Sequence, residues 1–441
     1  MESRHTNGLQ GHQQSAQGIA LGMGSADDVR PVRAKALPYK YAFALSGRFS
    51  RTYPQTQGAA LGCHLIALSG HTDTFPLTGR RATACPYNHK GKLKLKILVA
   101  FLVLLFASGL HAQEVQSFRQ HDMKRWGIPA GNYSGIAHID GDRYALVSDK
   151  QEADGWTEVS ISFLPSGDID RMTFIAHHYD ASSQGKARDS EGIAYVPGQG
   201  FFVCAENDQQ ILELTEGGSP TSRRLSVPTH FGTSNIFPNY GFEALTYDAG
   251  QRLFWTTTEQ GLKSDVATLT THETPSPTLL RLQSFGSDLQ PRQQFAYMTE
   301  APTTRRIPRH FAFGVPELLA LNDTTLIVME RELSIPKRYN RARCNIRLFC
   351  VNPSADGAIN DSALPLREME KEAFLTKKPL YAFSTGIRIA GRKNLANYEG
   401  MCLGPRLADG RQTLLLIADS QGRAGKALFH LKDYIKVIAI R

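Results

Sequence analysis

The folded part of this chain lacks net charge. The full sequence of 441 residues has a formal net charge of +9. Residues 1–112 hold 13 basic and 4 acidic residues and account for all of that excess, whereas residues 113–441 hold 37 of each. A basic surface is the electrostatic signature of nucleic-acid binding. Its absence from the main part of the chain argues against a nucleic-acid partner.

The sequence also lacks several common catalytic motifs. It contains no Walker-type phosphate loop, no His-Glu-x-x-His zinc motif and no Gly-x-Ser-x-Gly nucleophile elbow. The pair His177-His178 resembles a metal-binding cluster, but adjacent residues on a strand point to opposite faces. We therefore expect a structural role for these two histidines.

No apolar run reaches the roughly 20 residues that a transmembrane helix needs. The run Ile97–Phe106 follows a Lys-rich start and precedes a region of small residues that ends at Ala112. This is the layout of a secretory signal peptide. Residues 90–112 are thus predicted to export the protein to the periplasm or the medium, with an uncleaved membrane anchor as the alternative. Residues 1–89 show no periodicity and are expected to be a disordered extension, or a stretch upstream of the true translation start.

The four cysteines of residues 113–441 do not suggest a disulfide framework. Cys344 and Cys350 lie six residues apart on one predicted strand, which separates them by about 20 Å and prevents them from pairing. Cys204 and Cys402 lie in apolar strand runs and are expected to be buried free thiols.

From Gln113 onward the residue pattern is that of β-structure, and one unit recurs. In RDSEGIAYVPGQGFFVCAEND, residues 188–208, two apolar strands flank a Pro-Gly turn. Glu191 precedes the first strand and Glu206 follows the second, so the hairpin has a carboxylate at each open end. The same unit pairs Glu243 with Glu259, Glu317 with Glu330 and Glu399 with Asp419. In a fifth copy Ser134 replaces the leading acid, opposite Asp149.

Equivalent hairpins at this spacing predict an all-β fold of the β-propeller type, whose blades take about 40–50 residues each. Residues 113–441 leave room for six blades, or for seven. We expect the strand at 434–440 to complete a blade with a strand near residues 115–118, and a short helix within 360–378. A β-sandwich is the alternative fold, but it does not explain five equivalent hairpins.

In a propeller, equivalent hairpin ends gather on one face. The sequence therefore predicts a ring of nine carboxylates there: Asp149, Glu191, Glu206, Glu243, Glu259, Glu317, Glu330, Glu399 and Asp419. So many like charges need compensation from basic side chains, bound cations or raised pKa values. The candidate basic side chains are Lys150, Arg188, Arg331 and Arg347.

Three functions fit such a face. In the first, the acids bind Ca²⁺, which activates water and holds a phosphate oxyanion while arginines clamp the phosphate. In the second, one protonated and one ionised acid act as general acid and base without a metal. In the third, the acids cap neighbouring loops and the propeller is a binding scaffold.

Several motifs together resemble the phytase-like family, described as "esterase-like activity of phytase". They are Asp189-Ser-Glu-Gly-Ile193, Asn239-Tyr-Gly-Phe-Glu-Ala-Leu245, Glu330-Arg331, Asn397-Tyr-Glu-Gly-Met401 and Leu414-Leu-Leu-Ile-Ala-Asp419. The resemblance covers residues 118–438 and implies an exported β-propeller that hydrolyses phosphoesters or phosphodiesters. Two departures are Ser134 in the first hairpin and Ser420-Gln421 after Asp419, where the family pattern continues with Asp or Asn.

Together these observations predict an exported, metal-assisted phosphoester hydrolase that acts as a monomer on a small phosphate ester. The predicted catalytic residues are Glu191, Glu243, Glu399, Arg188 and Arg331. The predicted metal ligands are Glu206, Glu259, Glu317, Glu330, Asp419 and Asp149, with Ca²⁺ as the ion. The alternative is a non-catalytic propeller that binds a ligand or a protein at the same face.

Overall fold

A computed structural model describes residues 115–267, 275–353, 357–360, 362–387, 394–423, 425–426 and 429–441. The predicted extension and the predicted signal segment lie outside these ranges. Within them, the regular structure consists of β-strands and short 3₁₀ helices, with no α-helix. Accordingly, none of the helices in these ranges is long and apolar enough to cross a membrane.

Twenty-three strands form five blades and one small hairpin. Two short strands come first, β1 (Val115–Ser117) and β2 (His121–Asp122). Blade 1 contains β3 (Tyr133–Asp140), β4 (Arg143–Ser148), β5 (Gly155–Phe163) and β6 (Ile169–Tyr179). Blade 2 contains β7 (Ser190–Val196), β8 (Gly200–Ala205), β9 (Gln210–Leu214) and β10 (Pro220–Arg224). Blade 3 contains β11 (Phe242–Asp248), β12 (Leu253–Thr258), β13 (Leu279–Gly286) and β14 (Pro291–Met298).

The remaining blades complete the ring. Blade 4 contains β15 (His310–Asn322), β16 (Thr325–Ile335), β17 (Arg343–Val351) and β18 (Lys377–Gly386). Blade 5 contains β19 (Asn397–Arg406), β20 (Gln412–Asp419) and the last strand, while β21 (Gly425–Lys426) and β22 (Phe429–His430) form the separate hairpin. The last strand is β23 (Tyr434–Ile440). The 3₁₀ helices are Met123–Trp126, Ala181–Ser183, Thr229–Phe231, Thr233–Asn235, Tyr339–Arg341, Leu366–Glu368, Lys371–Ala373 and Gln421–Arg423.

Both ends of the described chain meet in blade 5. Strand β1 pairs antiparallel with β23, and Val115 lies opposite Ile440. The order in this blade is β19, β20, β23, β1, so the N-terminal strand supplies the outer edge. This confirms the prediction that the last strand completes a blade with the N-terminal strand. The two ends of the described chain are therefore hydrogen-bonded to each other within one blade.

The fold is an all-β propeller, as predicted, but it has five blades and not six or seven. The residue count misled because several connections are long. Residues 259–278 link β12 to β13, and residues 352–376 link β17 to β18. These stretches occupy the sequence that would otherwise supply another blade. The predicted helix at 360–378 is also wrong, because that region forms two 3₁₀ turns before β18.

The hydrophobic core lies between the blades. Five clusters of buried side chains occur in the described residues, one at each interface between neighbouring blades. Between blades 2 and 3, for example, Phe202 packs on Phe254 with ring centroids 4.7 Å apart. The first strand of every blade lies innermost, beside the first strands of its two neighbours. The five hairpins predicted from the sequence are therefore the two inner strands of the five blades.

The cysteines and the His177-His178 pair adopt the structural roles that the sequence predicts. Cys204, Cys344, Cys350 and Cys402 are all free thiols, and Cys344 and Cys350 share strand β17, as expected. Of the two histidines, His178 stacks on Trp156 and donates a 2.9 Å hydrogen bond from Nε2 to the carboxylate of Glu158. His177 instead contacts Thr157 and Tyr179. Neither is a member of a candidate metal group within the described residues.

Candidate functional site

All five hairpins open towards one face, and a β-bulge marks the position of the leading acid in four of them. The pairing register shifts at Ser134 in blade 1, at Glu191 in blade 2, at Glu243 in blade 3 and at Glu399 in blade 5. A bulge adds one residue to one strand and redirects its side chain. In blade 4 the irregularity comes just before Glu317. The repeated bulges thus turn the acids of neighbouring blades towards one another.

Small residues after the bulges allow the inner strands to approach closely. A Cβ atom on Gly192 would lie 2.6 Å from the carbonyl oxygen of Glu243 in the next blade. A Cβ on Gly400 would lie 2.7 Å from the carbonyl oxygen of Ser134. In the Glu-Gly and Ser-Gly pairs, the first residue therefore supplies a side chain to the site. The glycine that follows allows the inner strands of neighbouring blades to lie close together at the centre of the ring.

Within the described residues, five carboxylates from three neighbouring blades form two overlapping acidic groups. Asp149, Asp189 and Glu191 make one group, and Glu191, Glu206 and Glu243 make a second. In each group, one oxygen per residue lies within 4.8 Å of the others. Four of the five side chains belong to buried residues, and Asp189 is half-buried. We call these five residues the acidic half-ring.

Asp189 was missed by sequence analysis, because it precedes the repeated hairpin. It lies at the end of the connection from β6 to β7, and its carbonyl oxygen accepts a hydrogen bond from the backbone N–H of Glu206. The same connection is anchored by Asp154, which accepts a 2.7 Å hydrogen bond from the backbone N–H of Arg188. The signal that could have found it is the motif Asp189-Ser-Glu-Gly-Ile193, in which Asp189 comes two residues before Glu191.

Two other acids of the ring, Glu259 and Glu399, share an arginine of the chain itself. Arg331 in β16 is buried; it forms an ion pair with Glu259 of blade 3 and lies 3.5 Å from a carboxylate oxygen of Glu399 in blade 5. It also donates a 3.1 Å hydrogen bond to the side chain of Asn397. Burial alone would lower the pKa of Arg331, but the carboxylates of Glu259 and Glu399 outweigh it and raise this pKa above its usual value.

Two basic residues of the predicted site lie near the acidic half-ring. Lys150 follows Asp149 directly and forms an ion pair with it. Arg188 turns away from the carboxylates, because its guanidinium binds Asp208 with two hydrogen bonds of 2.8 and 2.9 Å and also donates to the carbonyl oxygen of Gln210. Of these two basic residues, Lys150 is the one that contacts the cluster.

Glu317 lies apart from the other acids, between inner strands. Its carboxylate accepts hydrogen bonds from the backbone N–H groups of Leu245 at 3.2 Å and Leu318 at 2.9 Å, and from that of Met401. These donors belong to blades 3, 4 and 5. Burial raises the pKa of Glu317 well above its usual value, although the three N–H groups oppose that shift. Glu317, which the sequence predicts to be a metal ligand, is thus hydrogen-bonded to the backbone of three neighbouring blades and links them.

Glu330 is surrounded by donors from outside the central ring. It accepts from the Tyr297 hydroxyl at 2.8 Å and from the backbone N–H of Glu300, and it pairs with Lys377 at 2.9 Å and Arg347 at 3.3 Å. Asp419 accepts from the backbone N–H and the side chain of Gln421. Within the described residues, neither acid belongs to a group that could share an ion. Their predicted roles as ligands remain predictions.

The family comparison supplies the decisive observation. A family model described as phytase-like, "esterase-like activity of phytase", matches residues 128–421, more than half of the chain and the whole of the five inner hairpins. The chain belongs to this phytase-like family. The matched range includes every member of the acidic half-ring and Arg331.

Comparisons with other proteins add little about activity. The search of curated proteins found no match. Among solved structures, an endo-arabinase from Bacteroides thetaiotaomicron is similar at a TM-score of 0.39 and 10% identity, covering 72% of this chain and 96% of that one. The catalytic domain of the Coprinopsis cinerea GH62 α-L-arabinofuranosidase gives 0.37 and 12%, covering 74% and 97%. Virginiamycin B lyase from Staphylococcus aureus gives 0.30 and 10%, covering 74% and 100%. At these values the similarities carry no argument about substrate or mechanism.

Proposed function

We propose that this phytase-like propeller hydrolyses small phosphate esters with a divalent cation, Ca²⁺, bound by the acidic half-ring. The observation that carries the proposal is the convergence of Asp149, Asp189, Glu191, Glu206 and Glu243 at the centre of one face. The family to which the chain belongs supports a hydrolase acting on phosphoester or phosphodiester bonds.

The donor set fits a hard cation. All five side chains offer carboxylate oxygens, the ligands that Ca²⁺ takes in sets of six to eight, and no sulfur or imidazole belongs to either group. The ion pair of Lys150 with Asp149 offsets one of the five charges. A divalent ion would offset two more, which favours ionised carboxylates in a buried setting.

When bound there, such an ion would polarise a phosphoryl oxygen and lower the pKa of a coordinated water. The chain's own residues have separate roles in the proposal. Glu191 belongs to both groups and would link them. Lys150 has three N–H donors and can contact a phosphate while it holds Asp149. Arg331 keeps Glu259 and Glu399 paired and so confines the cation to the acidic half-ring.

A metal-free acid and base pair is the second candidate, and the proximity of Glu191, Glu206 and Glu243 favours it. Carboxylates this close disfavour simultaneous ionisation, so one of them can hold a proton near neutral pH. The two mechanisms differ in their response to chelators. The non-catalytic alternative, a propeller that binds a ligand or a protein at this face, predicts no turnover at all.

The test is hydrolysis of 4-nitrophenyl phosphate and bis(4-nitrophenyl) phosphate with Ca²⁺ or with EDTA. We expect turnover that requires Ca²⁺ and falls by about 10²-fold or more in Glu191→Gln, which keeps the size of the side chain but removes its charge. Asp170→Asn, an exposed acid on the outer strand β6, is the matched control and should leave activity unchanged. Activity that is equal in EDTA would favour the acid and base pair, and no activity on either ester would contradict the hydrolase proposal.

We further propose that the protein is exported through residues 90–112 and acts as a monomer. The apolar run after a Lys-rich start supports export. Cell fractionation with N-terminal sequencing of the native protein tests it. A cytoplasmic protein that retains residues 90–112 would contradict it.

A further inference from the structure

A cavity lies on blade 1 and reaches Lys150, the ion-pair partner of Asp149 in the acidic half-ring. Its volume is about 230 Å³, and it is lined by the segment before β3, the connection from β4 to β5, and the ends of β5 and β6. The lining side chains that carry the argument are Asn132, Lys150, Glu152, Thr157, His177 and Tyr179. Lys150 links the cavity to the cluster, because it lines the cavity and pairs with Asp149.

The outer end of this cavity has an aromatic wall. Tyr179 is the last residue of β6, and its ring stacks on His177 with centroids 5.0 Å apart and an interplanar angle of 14°. Burial and the neighbouring His178 lower the pKa of His177, which keeps its ring neutral at neutral pH. Tyr179 is 43% exposed, and it is the only aromatic among the exposed large apolar side chains of the described residues. Tyr179 therefore presents solvent-accessible aromatic surface among the residues that line the cavity.

The wall is held in place and connected to the cluster through one loop. The connection after Tyr179 runs from Asp180 to Asp189. The aromatic wall therefore lies at one end of this connection, and Asp189 of the acidic half-ring lies at the other. Glu152 accepts hydrogen bonds from Gln184 at 2.9 Å and from the backbone N–H of Gly185 at 2.7 Å, which tie this loop to the connection from β4 to β5. The connection that carries Lys150 and the connection that follows Tyr179 are thus hydrogen-bonded to each other.

We propose that this cavity is the substrate-specificity subsite: it takes a planar aromatic group joined to the phosphate, which stacks on Tyr179 while Lys150 contacts the phosphate. Flat rings stack favourably on exposed aromatic side chains. An ammonium beside a carboxylate cluster suits the anionic part of the same ligand. The inference rests on the proposed function for the location of the phosphate, but ring recognition itself does not require turnover.

The test compares two non-hydrolysable anions, phenylphosphonate and methylphosphonate, which share the anionic group and differ in the ring. With Ca²⁺ present, calorimetry should show phenylphosphonate binding at least about fivefold more tightly to the wild-type chain, since stacking on one aromatic residue is of that order. Tyr179→Ala should remove the difference while leaving methylphosphonate affinity unchanged. Tyr179→Phe should preserve it, and Lys150→Met should weaken both ligands.

Ile175→Ala is the matched control, because Ile175 is 46% exposed on the same strand and does not line the cavity. It should bind both anions as the wild type does. Equal affinity of the wild type for the two phosphonates, a ring preference that survives Tyr179→Ala, or failure to bind either anion would overturn the subsite. A ring preference in a protein that hydrolyses no ester would support the subsite and refute the proposed hydrolase activity. Hydrolysis without a ring preference would support the hydrolase activity and refute the subsite.

Discussion

Replacing Arg331 tests how strongly this buried arginine stabilises the two carboxylates beside it. Its side chain is 3% exposed and pairs with Glu259 and Glu399, which are 5% exposed. Replacing it with Met keeps a similar length but leaves two buried carboxylates without their cation. Removal of one partner from a buried ion pair typically costs about 3–5 kcal/mol of stability. We expect Arg331→Met to lose that amount from the free energy of unfolding near pH 7 in EDTA, measured by urea denaturation.

The loss should depend on pH in a defined direction. Without Arg331, burial would disfavour the ionised form of these two carboxylates, whereas in the unfolded chain a glutamate ionises at about pH 4.3. A group whose pKa is raised on folding costs no stability below its unfolded pKa and costs increasing stability as the pH rises. The deficit of the variant should therefore shrink at about pH 5 and grow towards neutrality. Added Ca²⁺ should recover part of it, because the two freed carboxylates could then bind the ion.

Arg292→Met is the matched control. Arg292 and its partner Asp288 are 49% and 52% exposed, and an ion pair this exposed contributes little to stability because water screens it. A deficit for Arg331→Met that is no larger than that of the control, or one that stays constant with pH, would refute the assignment of Arg331 as the internal cation of the ring.

Three further changes test other parts of the structure. Glu191→Gln should lose most of the rise in melting temperature that Ca²⁺ gives the wild type, because Glu191 joins both carboxylate groups; an undiminished rise would contradict this. Glu317→Gln mimics the protonated acid, and since burial raises the pKa of Glu317, wild-type stability should fall relative to the variant as the pH rises above about 4.3, the unfolded-state pKa of a glutamate; melting curves with parallel pH dependence would refute it. Gly192→Ala should destabilise by about 1–3 kcal/mol because its methyl group would meet the backbone of the next blade, whereas Gly217→Ala should not, because its methyl group would make only an ordinary contact with the Thr215 hydroxyl at 3.7 Å; equal urea midpoints would count against the close approach.

The hairpins and their common face could be predicted from the sequence, because they depend on local signals. Turn residues such as Pro197-Gly198 and the alternation of apolar residues around them fix each hairpin independently of its neighbours. The number of blades could not be predicted in this way. The connection 352–376 and the connection 259–278 are long enough for strands, and only the packing of the ring excludes another blade.

The membership of the acidic half-ring could be predicted in part, for a similar reason. Glu191, Glu206 and Glu243 follow the repeat and lie together as the repeat predicts, but Asp189 lies in a loop whose position depends on Asp154. Arg331 was predicted as a phosphate clamp because its type suits that role. Its structural contacts are with Glu259 and Glu399, which come from two other blades and are distant in sequence. Such pairings arise only when the ring closes.

The most direct test of a cation site at the centre of the ring is a crystal structure of the protein grown with Ca²⁺, with anomalous scattering used to locate the ion. The account predicts calcium density bounded by Asp149, Asp189, Glu191, Glu206 and Glu243, with Arg331 still paired with Glu259 and Glu399. Density between Glu259 and Glu399, or an absence of calcium from the acidic half-ring at saturating Ca²⁺, would contradict it.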